Sequence, residues 1–296
     1  MDYEGRIYRP PSEANSLILQ VTVGCSHNKC TFCPMYKDKE FKLKDIGVIS
    51  KDLQEARLRY KHVERVFLAD GDALCMNTDL FCQLLSNVRN TFPECTRIGS
   101  YARATHINKK SCEELLLLRD TGLGIVYIGA ESGSDMVLRL VNKGESADQI
   151  ITAIRKIEAA EIGASVTFIS GLGSKEHMKE HAVKTGEMIS ALGASYVGLL
   201  TLMLDPLAPI FCAVETGEFE QLTPYDVLDE LEIILENINI NKDDDNTKKT
   251  VFRSNHASNW LILKGTLPDD RENMLDKVRL AKIESGLLRE EWHRRL

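Results

Sequence analysis

The chain has no run near the roughly 20 consecutive apolar residues that a helical bilayer span requires. Its first residues, MDYEGRIYRPPSE, hold neither the basic nor the apolar stretch of a secretory signal. A cytoplasmic protein with no membrane partner is therefore expected. Basic residues are not in excess either: 37 Lys and Arg against 44 Asp and Glu give a net charge of −7. Gripping a phosphate backbone normally needs a basic face, so nucleic acid is not expected as the main partner. Low-complexity tracts and convincing internal repeats are lacking. The eight cysteines do not read as a disulfide framework, because thiols in such a setting stay reduced, bind metal or fill the core. Cys75, Cys82, Cys95, Cys112 and Cys212 lie apart without Cys-x-x-Cys spacing. Without ferredoxin-like spacing they read as small buried apolar residues.

What is present is an ordinary globular composition, 43% apolar and 27% charged over 296 residues. Short β-rich runs at residues 16–23, 65–69, 97–100, 125–129, 165–169 and 196–202 alternate with segments of helical period. That alternation predicts parallel βα units. Helix starts are marked by the capping boxes Ser111/Glu114 and Ser146/Gln149, and by Thr223 followed by Pro224; Gly122 is placed to end a helix. Six such units predict an α/β fold, a partial (β/α)6 TIM-like barrel, with a doubly wound open sheet as the alternative. The expected organisation is an N-terminal segment over 1–15, the barrel over 16–240, and a short C-terminal extension over 241–296 that closes or braces it. The run 241–249 reads as a solvated loop. In either α/β architecture the residues just after each strand are the ones to inspect.

After the first predicted strand come Cys25, Cys30 and Cys33, three thiols within nine residues. A [4Fe–4S] cube has four iron corners and cysteine thiolates are its usual ligands, so three leave one corner open. A zinc site using the same thiolates with His27 is the alternative, although structural zinc more often takes two separated ligand pairs. With Phe32 just before the last cysteine, the stretch resembles the radical S-adenosylmethionine (radical SAM) superfamily. Its commonest motif is Cys-x3-Cys-x2-Cys, whereas the spacing here is Cys-x4-Cys-x2-Cys. The resemblance implies a cluster whose open iron takes the amino and carboxylate groups of S-adenosylmethionine.

The other strand ends extend the resemblance. Asp70-Gly71-Asp72 is similar to the Gly-Gly-Glu-type motif near the methionine amino group, although a tight turn would also use this glycine. Glu131-Ser132-Gly133-Ser134 resembles the branch holding oxygen-independent coproporphyrinogen oxidase, the methylthiotransferases and elongator-type enzymes. There the acid lies in the cofactor pocket, while Ser134 and Asp135 read as helix caps. Arg103 is a carboxylate partner by its planar donor fork, and Ser170-Gly171 is similar to the strand-five motif near the adenine. Gly71, Asp72, Arg103, Glu131, Ser132 and Ser170 are thus the expected cofactor contacts.

Arg253 and His256 are the expected catalytic residues on the substrate side. The segment 253–260 is rich in recognition groups, although a capping loop with Trp260 in the core would look the same. The resemblance implies an enzyme that cleaves S-adenosylmethionine to methionine and a 5′-deoxyadenosyl radical. It would act on a small-molecule or peptide substrate under anaerobic conditions, with an electron donor such as flavodoxin or ferredoxin. A non-catalytic zinc- or iron–sulfur-binding scaffold is the other reading. No cobalamin domain or further cysteine-rich domain is legible, which disfavours methylthiotransfer.

Overall fold

The computed structural model describes residues 1–241 and 248–294. In chain order the elements are β1 (Leu17–Gln20), β2 (Thr22–Val23), β3 (Lys42–Leu43), α1 (Ile46–Arg59), β4 (Arg65–Ala69), α2 (Thr78–Thr91) and β5 (Arg97–Tyr101). Next come α3 (Ala104–Lys109), α4 (Cys112–Thr121), β6 (Leu123–Glu131), α5 (Asp135–Leu140), α6 (Ala147–Ala159), β7 (Gly163–Ser170) and α7 (Ser174–Leu192). The chain continues with β8 (Tyr196–Thr201), α8 (Ile210–Glu215), α9 (Pro224–Glu236), β9 (Thr250–Ser254), β10 (Leu263–Leu267) and α10 (Arg271–Ile283). The fold is α/β: the main sheet is eight-stranded, mostly parallel and not closed, as in a partial TIM-like barrel.

The six expected strands are all present. Beyond them, β9 adds parallel to β8, and β10 pairs antiparallel with β9. Residues 242–247 of the expected loop lie outside the described residues. Among the described residues no helix is long and apolar enough to cross a membrane.

Two compact units divide the chain. The first holds residues 1–28, 35–128 and 156–164. In it β1, β4 and β5 pair in parallel, and Val66, Phe67, Leu68 and Ala69 of β4 are fully buried in succession. Such a continuous apolar run is what a parallel strand covered on both faces requires. Its helices start on side chains that take otherwise unbonded N–H groups: Asp45 caps α1, Asn77 caps α2 and Ser111 with Glu114 forms the expected capping box of α4. Phe67, Tyr101 and Tyr127 meet edge to face, with ring centroids 5.0 to 6.1 Å apart.

The second unit holds residues 29–34, 129–155 and 165–296. Along β7 and β8 burial alternates strictly, the period-two signature of strands with unlike faces. Its expected caps are found: Ser146 and Gln149 bond reciprocally, Ser134 accepts from Val137 N–H, and Thr223 caps α9 with Asp226. Trp260 is buried with Leu222 and Val227, and the guanidinium of Arg294 lies 3.4 Å from its ring centroid.

Candidate functional site

The cysteine loop is anchored in the first unit by an acid not singled out from sequence. Asp70, fully buried at the end of β4, accepts from Gln20 Nε2 at 3.0 Å, Gly24 N–H at 3.2 Å and Lys39 Nζ at 2.9 Å. Its own N–H donates to Thr22 Oγ1 at 3.1 Å. Gly71 N–H then donates to the Gly24 carbonyl at 3.1 Å. A Cβ on Gly71 would lie 2.9 Å from Cys25 Cβ and 3.0 Å from the Tyr36 ring, so only glycine lets the loop carrying Cys25 come this close.

Asp72 is also fully buried and ties three segments together. Its carboxylate accepts from Ser26 Oγ, beside Cys25, and from the Arg103 N–H at 3.2 Å. His106 Nδ1 lies 2.6 Å from the same group. Asp72 and Arg103, both expected cofactor contacts, are thus joined through the Arg103 backbone. His106 was not foreseen in this role; its signal was a histidine three residues after Arg103, on the first turns of a short helix.

In the second unit Cys30 and Cys33 pack against an apolar cluster that contains Phe32, Val137, Leu172 and Phe219. The segment is held by Thr31, whose N–H donates to Val141 O at 3.0 Å and whose carbonyl accepts from Ile210 N–H at 2.9 Å. Phe32, expected only as part of the motif, is the apolar anchor of these two cysteines. No disulfide involves any of the eight cysteines. Among the described residues no set of three or more Cys, His, Asp or Glu side chains is gathered to hold a metal. The expectation that Cys25, Cys30 and Cys33 act as ligands therefore rests on their spacing and donor chemistry, and for Cys25 on the close approach at Gly71.

Glu131 adopts a left-handed backbone with φ +69°, a conformation costly for a residue with a side chain. Its carboxylate lies 3.3 Å from Lys143 Nζ, and Lys143 in turn lies 3.9 Å from Glu145. Burial pushes the Glu131 carboxyl above its usual range, and the Lys143 ammonium opposes that shift. A Cβ on Gly129 would fall 2.0 Å from Glu131 Oε1, so the glycine makes the space this carboxylate fills. At Gly133 a Cβ would fall 2.0 Å from the Lys184 carbonyl, which lets the turn after β6 sit directly on α7.

Ser132 and Ser170, both expected at the cofactor, are the two ends of a buried polar chain. Ser132 Oγ is 2.8 Å from His181 Nδ1. Ser170 Oγ donates to Glu230 of α9, which also accepts from Gly171 N–H at 2.9 Å. Between them His181 Nε2 and Glu230 Oε1 face each other at 3.8 Å, and neither atom has a hydrogen-bond partner. Both side chains are fully buried. Burial pulls His181 down to about 4 and pushes Glu230 up to about 7, because a dry interior disfavours either charged form. Sequence reading missed both residues, although a signal existed. His181 falls three residues after Met178 and four before Thr185; Glu230 falls three after Val227 and four before Ile234. That spacing puts each polar group on the buried stripe of its helix.

The two expected catalytic residues are placed differently. Arg253 is exposed on β9, and its Nη1 donates to the Phe252 carbonyl at 2.7 Å and the Gly265 carbonyl at 3.0 Å. His256 Nδ1 accepts from Ser258 N–H at 3.1 Å, which leaves Nε2 to carry the proton of the neutral ring. Burial, then the Arg289 charge, lowers its pKa. Asn259 is buried and structural: its Oδ1 accepts from Thr201 Oγ1 and its Nδ2 donates to Leu199 O, both at 2.8 Å.

Comparison with known proteins places this geometry in context. A family model described as Radical SAM superfamily matches residues 19–184. The chain is 25% identical over 171 residues to 4′-phospho-dehydrooxetanocin synthase of Priestia megaterium; the match covers 52% of this chain and 23% of that protein. It is 26% identical over 166 residues to threonylcarbamoyladenosine tRNA methylthiotransferase of Rickettsia prowazekii, covering 52% of this chain and 38% of that protein. The chain thus matches well under half the length of either curated relative. Among solved structures, coproporphyrinogen III oxidase from Escherichia coli superposes with a TM-score of 0.58 at 16% identity, over 78% of this chain and 56% of that one. That likeness establishes the fold.

Proposed function

The chain belongs to the radical SAM superfamily, a family of enzymes that use a [4Fe–4S] cluster with S-adenosylmethionine, and from that premise we propose that Cys25, Cys30 and Cys33 hold the cluster. When bound, the cluster, once reduced by an external electron donor, would pass one electron to S-adenosylmethionine and break a carbon–sulfur bond, which would give methionine and a 5′-deoxyadenosyl radical able to take hydrogen from the substrate. The residues of this chain hold, orient and exclude water. Three thiolates leave one iron for the cofactor's amino and carboxylate groups. The observation that carries the ligand assignment is the contact at Gly71, where absence of a side chain admits Cys25 against the end of β4.

Around the cofactor the proposed roles differ by chemistry. Gly71 offers backbone, and Glu131 offers a carboxylate whose charge Lys143 supports. Asp72, Ser132 and Ser170 act by fixing their loops, since each is already bonded to Ser26, His181 or Glu230. Arg103 extends the Asp72 turn as a partner for a carboxylate. On the substrate side stand Arg253 and His256, the first by its open place on β9, the second as a neutral imidazole with Nε2–H. The substrate is a small molecule or peptide, and the reductant is a flavodoxin- or ferredoxin-type donor in an oxygen-poor cytoplasm. The net charge of −7 favours such a substrate over nucleic acid.

The test is metal content. Protein purified without oxygen should be brown and carry about four irons with matching acid-labile sulfide. Replacing Cys25, Cys30 and Cys33 together by Ala should remove both while the fold survives by circular dichroism. Full iron in that folded variant would place the ligands elsewhere; zinc without sulfide in the parent would favour a zinc-stabilised scaffold.

A further inference from the structure

In the second unit β7, β8, β9 and β10 have two unlike faces. Val166, Val197 and Phe252 are aligned across the strands and buried. The residues one position further along point the other way, because side chains alternate along a strand. Register aligns Thr167 with Gly198, Gly198 with Arg253, and Arg253 with Lys264, so these four form one row on the open face. Both cations in it are exposed. Asp270, the residue before α10, lies on the opposite face: Gly265, next to Lys264, directs its missing side chain at Asp270 and Met274, 2.7 and 3.2 Å from a built Cβ.

Two like charges directly opposed on antiparallel strands repel each other. Among the described residues neither Arg253 nor Lys264 is ion-paired. The arrangement is nonetheless built rather than loose. Arg253 spends Nη1 on the Phe252 and Gly265 carbonyls, which fixes the guanidinium across the strand pair. Its Nε and Nη2 have no partner among the described residues. Gly198 leaves room beside it, since a Cβ there would meet only the Val166 carbonyl, at 3.9 Å. Thr167 ends the row with a hydroxyl donor.

We propose that Arg253 and Lys264, with the open place at Gly198 beside them, form an oxyanion site that takes the phosphate or carboxylate group of the molecule on which the enzyme acts. A tetrahedral or planar oxyanion accepts from the free guanidinium edge and from the ammonium together, and so removes the repulsion between them. The word substrate rests on the function proposed above, whereas the anion site itself does not depend on cluster or cofactor.

The experiment titrates the full chain, purified without oxygen, with inorganic phosphate and separately with acetate. Binding is followed by calorimetry at constant ionic strength. The parent should bind at least one of the two saturably; stronger phosphate binding assigns a phosphate monoester, stronger acetate binding a carboxylate. Arg253→Met and Lys264→Met should each weaken that binding about tenfold or more, in line with loss of a charged hydrogen bond, and the double variant should abolish it. Both positions are exposed, so the variants should fold, as circular dichroism will check. Equal binding in parent and double variant, or no saturable binding of either anion by the parent, overturns the proposal. Loss of cofactor cleavage with anion binding intact would count against the enzyme reading and leave the site standing.

Discussion

The two units bury acids of opposite habit. In the first, Asp70 takes three donors on one oxygen, the Lys39 ammonium among them, and leaves its other oxygen unbonded, while Asp72 is bonded on both oxygens; these partners come from separate segments of chain. In the second, Glu230 has two donors on one oxygen and an unbonded oxygen facing a neutral histidine. A buried carboxylate paired with a cation breaks badly when one partner is lost. A buried carboxyl held near neutral contributes shape and a proton instead. The first arrangement fixes the loop of Cys25, and the second spans the ends of β6 and β7 through side chains of α7 and α9.

Exchanging each acid for its amide sharpens that contrast. The largest effect is expected for Asp70→Asn, which leaves Lys39 buried without its counter-charge; a loss of about 3 kcal/mol or more should appear in urea denaturation. Gly71→Ala comes next, at about 1–3 kcal/mol, because the added Cβ meets Cys25 and Tyr36 and the backbone must shift. His106→Ala removes one of three ties on Asp72 and should lose about 1–2 kcal/mol, measurable by the same method. A midpoint for Asp70→Asn equal to that of the parent would erase the difference between the units.

The smallest effect at acid pH belongs to Glu230→Gln, within about 1 kcal/mol of the parent at pH 5. Its pH dependence carries the information. The folded chain retains a proton on Glu230 up to about 7, whereas the usual value is 4.5. Unfolding therefore releases a proton in that window, and the group's contribution to stability falls as pH rises from 4.5 to 7. His181 acts the other way, refusing a proton down to about 4 rather than 6.5, so its contribution falls as pH drops through that range. The two slopes oppose each other between 4.5 and 6.5. Glu230→Gln should gain on the parent as pH rises to about 7 and stay ahead above it. A constant offset between pH 4.5 and 8 in thermal unfolding would show that Glu230 does not hold its proton.

Much of this was legible in the sequence where one residue type does one job. The β-rich runs gave strands, Ser111 and Thr223 gave caps, and the motifs at the strand ends pointed to the family that the family model matches. Roles that depend on a distant partner were not. Glu230 and His181 sit at helical spacing within apolar stripes, but which strand end they meet is a matter of tertiary packing. The strand β10 was missed because Leu263-Lys264-Gly265-Thr266-Leu267 is short and interrupted by glycine, and it forms against β9. The buried place of Trp260 and Asn259 is the bracing alternative that the sequence left open, while Arg253, on the same segment, faces outward. Strand alternation separates the two, and that alternation is visible only once register is known.

The most direct measurement is product formation from the cofactor itself. Cluster-loaded protein, reduced without oxygen and given S-adenosylmethionine alone, should release 5′-deoxyadenosine and methionine in equal amounts, and the Cys25/Cys30/Cys33 triple Ala variant should release none. A parent that carries a full cluster yet forms no 5′-deoxyadenosine, even with a strong chemical reductant, would contradict the proposed chemistry.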